Sequence, residues 1–140
     1  MQYPVFFEKD PENGYLVSFR DIPEAISCGE TLDEAREMAL DALVTAMDFY
    51  FEDRRMVPPP SEPIEGEELI TLPESVAVKV QLLNARLREQ VRPVDLAQRM
   101  GIKRQEVNRI LDLHHKTKID TLSAAFAALG YKLEIKAQRL

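Results

Sequence analysis

The stretch PVDLAQRMGIKRQEVNRIL, residues 93–111, has the most informative pattern of apolar and polar residues in the chain. Pro93 suits the first position of a helix, because its missing N–H would have no intrahelical partner there. Gly101 can end that helix in the left-handed conformation, which costs glycine little. Apolar residues at helical spacing lie on either side of this glycine: Leu96, Ala97 and Met100, then Val107, Ile110 and Leu111. The pattern predicts two short amphipathic helices joined by a tight turn.

The polar face of the second helix is basic and rich in amides. It carries Lys103, Arg104, Gln105, Asn108 and Arg109. Arginine can form two hydrogen bonds with guanine, and asparagine or glutamine with adenine, at the major-groove edges of the bases. The spacing of four small or apolar residues resembles that of phage-repressor-type helix-turn-helix proteins: Ala97, Gly101, Val107 and Ile110. We interpret the stretch as a DNA-binding helix-turn-helix with the five polar residues at the DNA. The alternative is a solvated helix face.

The charges divide the chain into two parts. Residues 1–74 contain 5 Lys and Arg against 18 Asp and Glu, a net charge of −13, whereas residues 75–140 contain 13 against 6, a net charge of +7. A basic part is attracted to DNA phosphates, and we expect Lys116 and Lys118, beyond the second helix, to add phosphate contacts. An acidic part would be repelled by a duplex and favours a basic protein surface instead.

Composition limits the class of protein. The chain has 140 residues, of which 45% are hydrophobic and 30% charged, as in a soluble globular protein with one domain or two small ones. No apolar run approaches the length of a membrane span, and the N-terminus lacks a signal-peptide layout. We therefore expect a cytoplasmic protein without a membrane partner. The single cysteine, Cys28, excludes an internal disulfide, and we expect it to be buried or half-buried.

The acidic part has the pattern of a small α+β domain. Asp10 to Gly14 contains Asn13-Gly14, a hairpin signal between two strands. Thr31, with Glu34 three residues later, predicts the capping box of a long helix that runs to about Glu52. Four prolines make residues 56–66 a semi-rigid connector. Strands are predicted over residues 2–9, 15–19, 25–28 and 69–72, in the order strand, strand, strand, helix, strand.

Further elements flank the helix-turn-helix. We predict a helix over residues 75–90, and a final helix capped by Asp120 and closed by Gly130. YKLEIK, residues 131–136, alternates like a strand and would need a partner. We expect it to pair with the same strand of a second subunit in a homodimer or higher oligomer, which would place two recognition helices about 34 Å apart on a palindrome. The alternative is a disordered tail.

Several motifs together resemble the HicB antitoxin family. In the acidic part they are Tyr3-Pro4-Val5, the Gly14-Tyr15 hairpin return, the Asp21-Ile22-Pro23 corner, Gly29-Glu30-Thr31, and Glu34-Ala35 leading into a long helix with Phe49-Tyr50. The segments 113–116 and 118–120, after the helix-turn-helix, are similar to the subgroup of that family with this kind of DNA-binding domain. The resemblance covers nearly the whole chain.

The resemblance implies both a fold and a function. The fold class is α+β, with a truncated ribonuclease-H-like sheet-plus-helix domain over residues 1–72 and an all-α helix-turn-helix domain with a C-terminal strand over residues 73–140. The first domain would bind and inhibit a small basic HicA-type toxin, an RNA-cleaving enzyme. The second would repress the operon encoding the pair by binding double-stranded operator DNA, and from residues 131–136 we expect it to be the dimerisation domain as well. Our candidates for toxin contacts are carboxylates of two regions: Asp21, Glu24 and Glu30 near the corner, which we expect to be exposed, and Asp41, Asp48 and Glu52 along the helix. The alternative is that any of them is a solvated surface carboxylate without a partner protein.

Three other functions are weaker interpretations of the sequence. A ribonuclease-H-like sheet could hold two catalytic magnesium ions, but that needs converging carboxylates, and the predicted strands offer few inward acids. The protein could be a ligand-sensing transcriptional repressor without a toxin partner, although no glycine-rich phosphate loop or aromatic cage marks a ligand site. His114 and His115 are adjacent, yet neighbours in sequence point apart on regular structure and no other histidine or paired cysteine is present. We expect no enzyme activity, no cofactor and no metal.

Overall fold

A computed structural model describes residues 1–12 and 14–140 of the chain. It divides into two compact units, Met1–Val78 and Lys79–Leu140, which we call the acidic unit and the basic unit. Asn13, part of the predicted hairpin signal, lies outside the described residues. The elements of the acidic unit are β1 (Gln2–Asp10), β2 (Gly14–Ser18), β3 (Ile26–Gly29), α1 (Leu32–Asp53) and β4 (Glu67–Thr71). The predicted α+β arrangement and element order are confirmed.

The four strands form one antiparallel sheet in the order β3-β2-β1-β4. Alternation decides which side chains enter the core, because successive strand residues point to opposite faces. Tyr3 and Val5 of β1 and Val17 of β2 are buried accordingly. Pro4 lies on a central strand, at a position where β1 pairs with β4 but not with β2, because the pairing with β2 begins at Phe6. It therefore disrupts less pairing than a proline with partners on both sides would.

Helix α1 packs on the sheet and begins at a tight junction with β3. The Thr31 Oγ1 atom accepts a hydrogen bond of 3.1 Å from the Glu34 N–H, as the predicted capping box requires. The Glu34 carboxylate, however, accepts from the Glu30 N–H at 3.3 Å. A Cβ atom on Gly29 would lie 2.5 Å from the Ala35 nitrogen, so only glycine allows this approach. The buried face of α1 is Ala35, Ala39, Leu43, Ala46, Met47 and Tyr50.

The proline-rich connector of the acidic unit is held by side chains of the sheet region. The Tyr3 hydroxyl donates a hydrogen bond of 2.7 Å to the Pro58 carbonyl, and the Ser61 N–H and hydroxyl both donate to the Asp21 carboxylate. Arg20 pairs with Glu67, where β4 begins, at 2.9 Å. The connector therefore has fixed contacts along its length, which its composition alone does not predict.

The basic unit is helical. Helix α2 (Glu74–Arg88) starts in the acidic unit and continues into the basic one, where α3 (Pro93–Met100), α4 (Arg104–Leu111) and α5 (Ile119–Ala128) follow. The predicted pair of short helices is present, with its turn at residues 101–103. The apolar core of the unit is Val80, Leu82, Leu83, Leu96, Val107, Ile110, Leu122, Phe126 and Leu129.

Two local predictions were wrong, and a third is not tested by one chain. Residues 131–140, all of them described, contain no strand within the single chain. The strand predicted over residues 131–136 needs a second subunit as its partner, so it stays a prediction. Asp120 is the second residue of α5 and not its cap, which is Lys118. Cys28 is exposed rather than buried or half-buried, because alternation places it on the face of the sheet opposite Val17.

Candidate functional site

The first helix of the predicted motif forms because both of its ends are satisfied locally. Pro93 occupies the first turn, and the Asp95 carboxylate accepts hydrogen bonds from the Arg92 N–H at 3.3 Å and from its Nε atom at 3.0 Å. These contacts cap the first turn and lower the pKa of Asp95, chiefly through the Arg92 side chain. Leu96 and Ala97 are buried, as the apolar stripe predicts.

Gly101 makes the turn between α3 and α4 possible. Its φ angle is +67°, a left-handed backbone conformation that residues with a Cβ atom rarely adopt. The Gly101 N–H donates to the Gln98 carbonyl at 3.2 Å, and the Ile102 N–H donates to the Ala97 carbonyl at 3.1 Å. This pair of bonds is a Schellman motif, which satisfies the last carbonyls of α3. The direction in which α4 leaves the turn is therefore fixed by backbone bonds.

Helix α4 presents the predicted polar face to solvent. Val107 and Ile110 are buried and anchor the helix. The five residues predicted to contact DNA are all exposed: Lys103, Arg104, Gln105, Asn108 and Arg109. None of the ion pairs among the described residues involves a cation of this set. We call these five residues the α4 polar face; it combines positive charge with side-chain amides.

A cleft of about 590 Å³ brings further cations next to this face. It lies between α4 and the segment that leads into α5, and its lining includes Arg109, Lys116 and Lys118. His115 lines the same cleft, as do the carboxylates of Glu106 and Asp120. The two lysines predicted to contact phosphate are thus close to the C-terminal end of the α4 polar face, in a mixed but predominantly basic setting.

A buried lysine that the sequence reasoning missed lies behind α4. Lys79 is only 3% exposed, and its Nζ atom donates hydrogen bonds to the carbonyls of Arg109 and Ile110 at 3.2 and 2.6 Å and to the Thr117 Oγ1 atom at 2.8 Å. Burial lowers the pKa of Lys79 to about 8, and the charge of Asp112 partly offsets that effect. The signal in the sequence was a single lysine within the apolar run VAVKV, residues 76–80.

Two of the three corner carboxylates that we expected to be exposed, Asp21 and Glu24, are not exposed. The side chain of Asp21 is 10% exposed and accepts hydrogen bonds from the Ser61 N–H at 2.8 Å and from its hydroxyl at 2.7 Å. The side chain of Glu24 is 25% exposed and accepts a bond of 2.6 Å from the Tyr50 hydroxyl. The expectation of exposure was wrong for both, because each carboxylate is occupied by partners from distant parts of the chain.

Glu24 belongs to a small network with Tyr50 and Arg55. Arg55 lies 3.6 Å from the Glu24 carboxylate, and its guanidinium lies over the Tyr50 ring, 4.3 Å from the centroid. Partial burial alone would raise the pKa of Glu24, but the Tyr50 hydrogen bond and the Arg55 charge outweigh it and the pKa is lowered. Burial and the bond to Glu24 raise the pKa of Tyr50 to about 12. The network fastens the end of α1 to the corner before β3.

The other predicted toxin contacts lie on the surface. Glu30, Asp41 and Glu52 are exposed, and Asp48 is half-buried. With helical spacing, carboxylates three, four or seven residues apart share one side of α1, opposite its buried face. This side, which we call the α1 acidic face, carries Glu34, Glu37, Asp41, Asp48 and Glu52. The only basic residue of α1, Arg36, pairs with Asp33 and with Glu68 of β4, both at 2.9 Å.

Large apolar side chains accompany the acidic ones. Met38 and Phe49 of α1 are 37% and 49% exposed, and both lie beside the α1 acidic face. The surface of α1 therefore offers negative charge together with apolar area, a combination suited to contact with a basic protein.

The described residues form neither a metal site nor a membrane-spanning helix. Within residues 1–12 and 14–140, no three His, Cys, Asp or Glu side chains come together in a way that could hold a metal ion. No helix in this part of the chain is both long enough and apolar enough to cross a membrane.

Comparison with known proteins decides the family. Residues 2–81 match the family described as HicB-like antitoxin of bacterial toxin–antitoxin system. The chain belongs to the HicB-like antitoxin family. It is 51% identical over 138 residues to Antitoxin HicB 1 of Photorhabdus laumondii, which covers 99% of this chain and 88% of the relative. It is 50% identical over 135 residues to Antitoxin HicB of Escherichia coli strain K12, covering 96% of this chain and 98% of the relative.

A more distant relative extends over the same length. Antitoxin HicB of Pseudomonas fluorescens is 33% identical over 138 residues, covering 98% of this chain and 94% of the relative. The likeness to named HicB antitoxins thus includes the basic unit as well as the acidic one. The resemblance inferred from the motifs is confirmed, and the relatives are named as antitoxins rather than as enzymes.

Proposed function

We propose that this HicB-like antitoxin has two activities in one chain. Residues 1–72 bind and inhibit a HicA-type toxin, a small basic RNA-cleaving enzyme. Residues 73–140 form a helix-turn-helix domain that dimerises, binds double-stranded operator DNA and represses the operon encoding the pair. Because mRNA and the operon lie in the cytoplasm, we propose that the protein acts there. The mechanism needs no catalysis and no cofactor from this chain.

The observation that carries the DNA-binding half is the α4 polar face. Its cations are exposed and take part in no ion pair among the described residues. An α-helix with its side chains is about 10–12 Å in diameter, which fits a major groove about 12 Å wide. Arg104, Gln105, Asn108 and Arg109 would then reach base edges. Lys103, Lys116 and Lys118 would contact phosphates on either side.

Charge supports the toxin-binding half. An enzyme that binds RNA presents a basic surface, and an acidic antitoxin surface competes with RNA for it. Glu30, Asp41, Asp48 and Glu52 remain our proposed contacts, with Met38 and Phe49 as apolar contacts beside them. Asp21 and Glu24 act indirectly, because their partners within the acidic unit hold the shape of the surface.

We also propose that the C-terminal segment completes a dimer. Residues 131–134 line a groove of about 370 Å³ whose other side includes Gln81, Ala85 and Phe126. Ile135 is 69% exposed, which a second subunit could cover. Pairing of residues 131–136 with the same segment of a second chain would give this alternating sequence the strand partner that one chain lacks. Truncation after Gly130 should then halve the mass measured by sedimentation and weaken operator binding. An unchanged mass and affinity would disprove the pairing.

The direct test of the whole proposal is co-expression of the full chain with the small gene product encoded beside it. We expect a stable complex on co-purification and restored growth. We also expect the full chain to bind the DNA upstream of its operon more tightly than unrelated duplex. A partner that neither binds nor impairs growth would overturn the toxin half, and equal affinity for both duplexes would overturn the DNA half.

A further inference from the structure

The contacts of Lys79 single out one end of α4. Its Nζ atom reaches the carbonyls of Arg109 and Ile110, both in the last turn of that helix, and the hydroxyl of Thr117 in the following segment. Lys79 comes from α2, so the three bonds join elements separated by at least 30 residues in sequence. The ammonium is buried, and its three N–H donors match three acceptors.

The end of a helix needs such donors. The last four carbonyls of an α-helix have no intrahelical partner, and together they carry a partial negative charge. In α4 the Asp112 N–H donates to the Arg109 carbonyl at 3.2 Å. The Ile110 carbonyl has its short bond to Lys79 instead. Lys79 therefore supplies, from another helix, both the donor and the positive charge that the C-terminal end of α4 requires.

We propose that Lys79 is a positioning residue, which fixes the rotation of α4 about its axis and so directs the α4 polar face at the DNA. This inference rests on the proposed DNA-binding function. Successive residues of a helix are about 100° apart around its axis, so an ammonium bound to two successive carbonyls resists rotation in either direction. The anchor is close to the contact surface, because Arg109 provides one of the held carbonyls and an exposed side chain of the α4 polar face.

The same ammonium also reaches the segment that carries the proposed phosphate contacts. Thr117, which accepts its third hydrogen bond, lies between Lys116 and Lys118. Lys79 would therefore keep a constant distance between the residues of α4 that contact bases and the lysines of this segment that contact phosphates. Burying a charge is costly even when it is paired, and buried ion networks are weak sources of stability. A role in geometry accounts for the retained charge better than a role in stability does.

The test compares specific with non-specific DNA binding. We would substitute Lys79→Met in the full chain, with Lys9→Met as a matched loss of an exposed lysine in β1. The ratio of affinities for operator and unrelated duplex should fall by about tenfold in Lys79→Met, whereas affinity for unrelated duplex should change by less than about twofold. A purely structural role would instead lower both affinities in proportion to the unfolded fraction. The control should retain the wild-type ratio.

Amide hydrogen exchange of the DNA-free protein provides a second readout. In Lys79→Met, the amides of residues 109–117 should exchange faster, while those of α3 keep their rates. Thr117→Val removes one of the three acceptors with little change in volume, and should reduce the affinity ratio in the same direction but by less. This variant keeps the lysine, so it tests the inference even if Lys79→Met does not fold.

Rescue separates the ammonium from the side-chain volume. Lys79→Cys in a Cys28→Ser background can be alkylated with 2-bromoethylamine in denaturant and refolded, which restores an amine at nearly the lysine length. The alkylated protein should recover the affinity ratio, and the unalkylated one should not. Equal ratios in both, or a normal ratio with normal exchange in Lys79→Met, would overturn the inference while leaving the DNA-binding proposal intact. A wild-type chain without operator preference would overturn both.

Discussion

The acidic and basic units differ in whether their cationic side chains form ion pairs. In the acidic unit, three of the four arginines pair with carboxylates of the same unit, so most of its few positive charges are neutralised locally and the surplus of acids remains. The three pairs are Arg20 with Glu67, Arg36 with Glu68, and Arg55 with Glu24. In the basic unit the described ion pair is Arg92 with Asp95, at the start of α3. The cations of the α4 polar face take no part in this ion pair.

The difference shows that net charge is a poor guide to partners. The whole chain has a formal charge of −6, which by itself argues against DNA binding. Each unit, however, meets a partner with its own surface, and charges beyond about 10 Å are screened at physiological salt. An acidic unit that pairs three of its arginines and a basic unit whose α4 polar face enters no ion pair among the described residues therefore suit different partners. The predictions below test whether the two surfaces act independently.

Charge reversal on α1 should have the largest effect. In the double variant Asp41→Lys and Glu52→Lys, two exposed carboxylates of the α1 acidic face become cations that face a basic toxin. We expect toxin affinity to fall by about 3 kcal/mol or more, since like charges brought together across an interface cost several kcal/mol. Isothermal titration with the purified toxin measures this. Operator affinity should stay unchanged.

A matched control has the same change in net charge elsewhere in the acidic unit. Glu8 and Glu12 are exposed and lie outside α1, on β1 and in the turn after it. The double variant Glu8→Lys and Glu12→Lys should lose much less affinity. If both double variants lose affinity equally, the toxin responds to the overall charge of the unit, and the α1 acidic face is not the contact surface.

Substitutions on α4 should produce the converse result. Arg104→Ala and Arg109→Ala should each weaken operator binding by about 1–3 kcal/mol, the usual value of one bidentate contact with a base. Toxin neutralisation should be retained. Fluorescence anisotropy with operator and unrelated duplex measures the loss, and Arg139→Ala, in the tail, controls for the missing charge. Loss of neutralisation in either α4 variant would contradict the separation of functions between the two units.

Sequence reasoning predicted the elements well because their signals are local. The Thr31 cap, the left-handed Gly101 and the alternation of β1 and β2 each depend on residues a few positions apart, and each is present in the structure. The exposure of the α4 polar face followed from the same periodicity. A local pattern, however, does not show which strand would lie next to it. The alternation at residues 131–136 therefore predicted a strand that a single chain does not form.

Side chains with distant partners could not be predicted. Lys79 bonds to Thr117, 38 residues away, and Asp21 to Ser61, 40 residues away. On composition alone, a lysine or an aspartate is expected at the surface, because burial of an unpaired charge is costly. Only the folded structure shows that these two side chains have hydrogen-bond partners. The sequence therefore located the α4 polar face correctly, but it could not separate exposed acids from acids that hold the acidic unit together.

Substitutions of Asp21 and Glu30 test the distinction between an acid that holds the unit together and an exposed acid. Asp21→Ala should lower the free energy of unfolding by about 1–2 kcal/mol, because the Ser61 N–H and hydroxyl lose a partly buried acceptor. The folded variant should lose less toxin affinity than Glu30→Ala does, because Asp21 supports the shape of the surface and makes no direct contact. Glu30→Ala, at an exposed position, should leave stability within about 0.5 kcal/mol of the wild type and weaken toxin binding. Denaturant unfolding and titration with toxin give the two values. The reverse outcome would restore Asp21 as a direct contact.

The smallest expected effect is a pH dependence from Glu24. Its pKa in the folded protein is lowered from the ordinary 4.5, so its network with Tyr50 and Arg55 stabilises the fold above that pH. That contribution is lost as the pH falls through the folded-state pKa. Glu24→Gln should therefore be less stable than the wild type by on the order of 0.5–1 kcal/mol near neutral pH, with the difference shrinking as the pH falls from about 5 to about 3. Urea unfolding across this range, with Glu12→Gln as an exposed control, measures it. Parallel profiles for wild type and Glu24→Gln would mean that Arg55 and Tyr50 do not depend on the Glu24 charge, and that the acidic unit keeps its shape without pairing this cation.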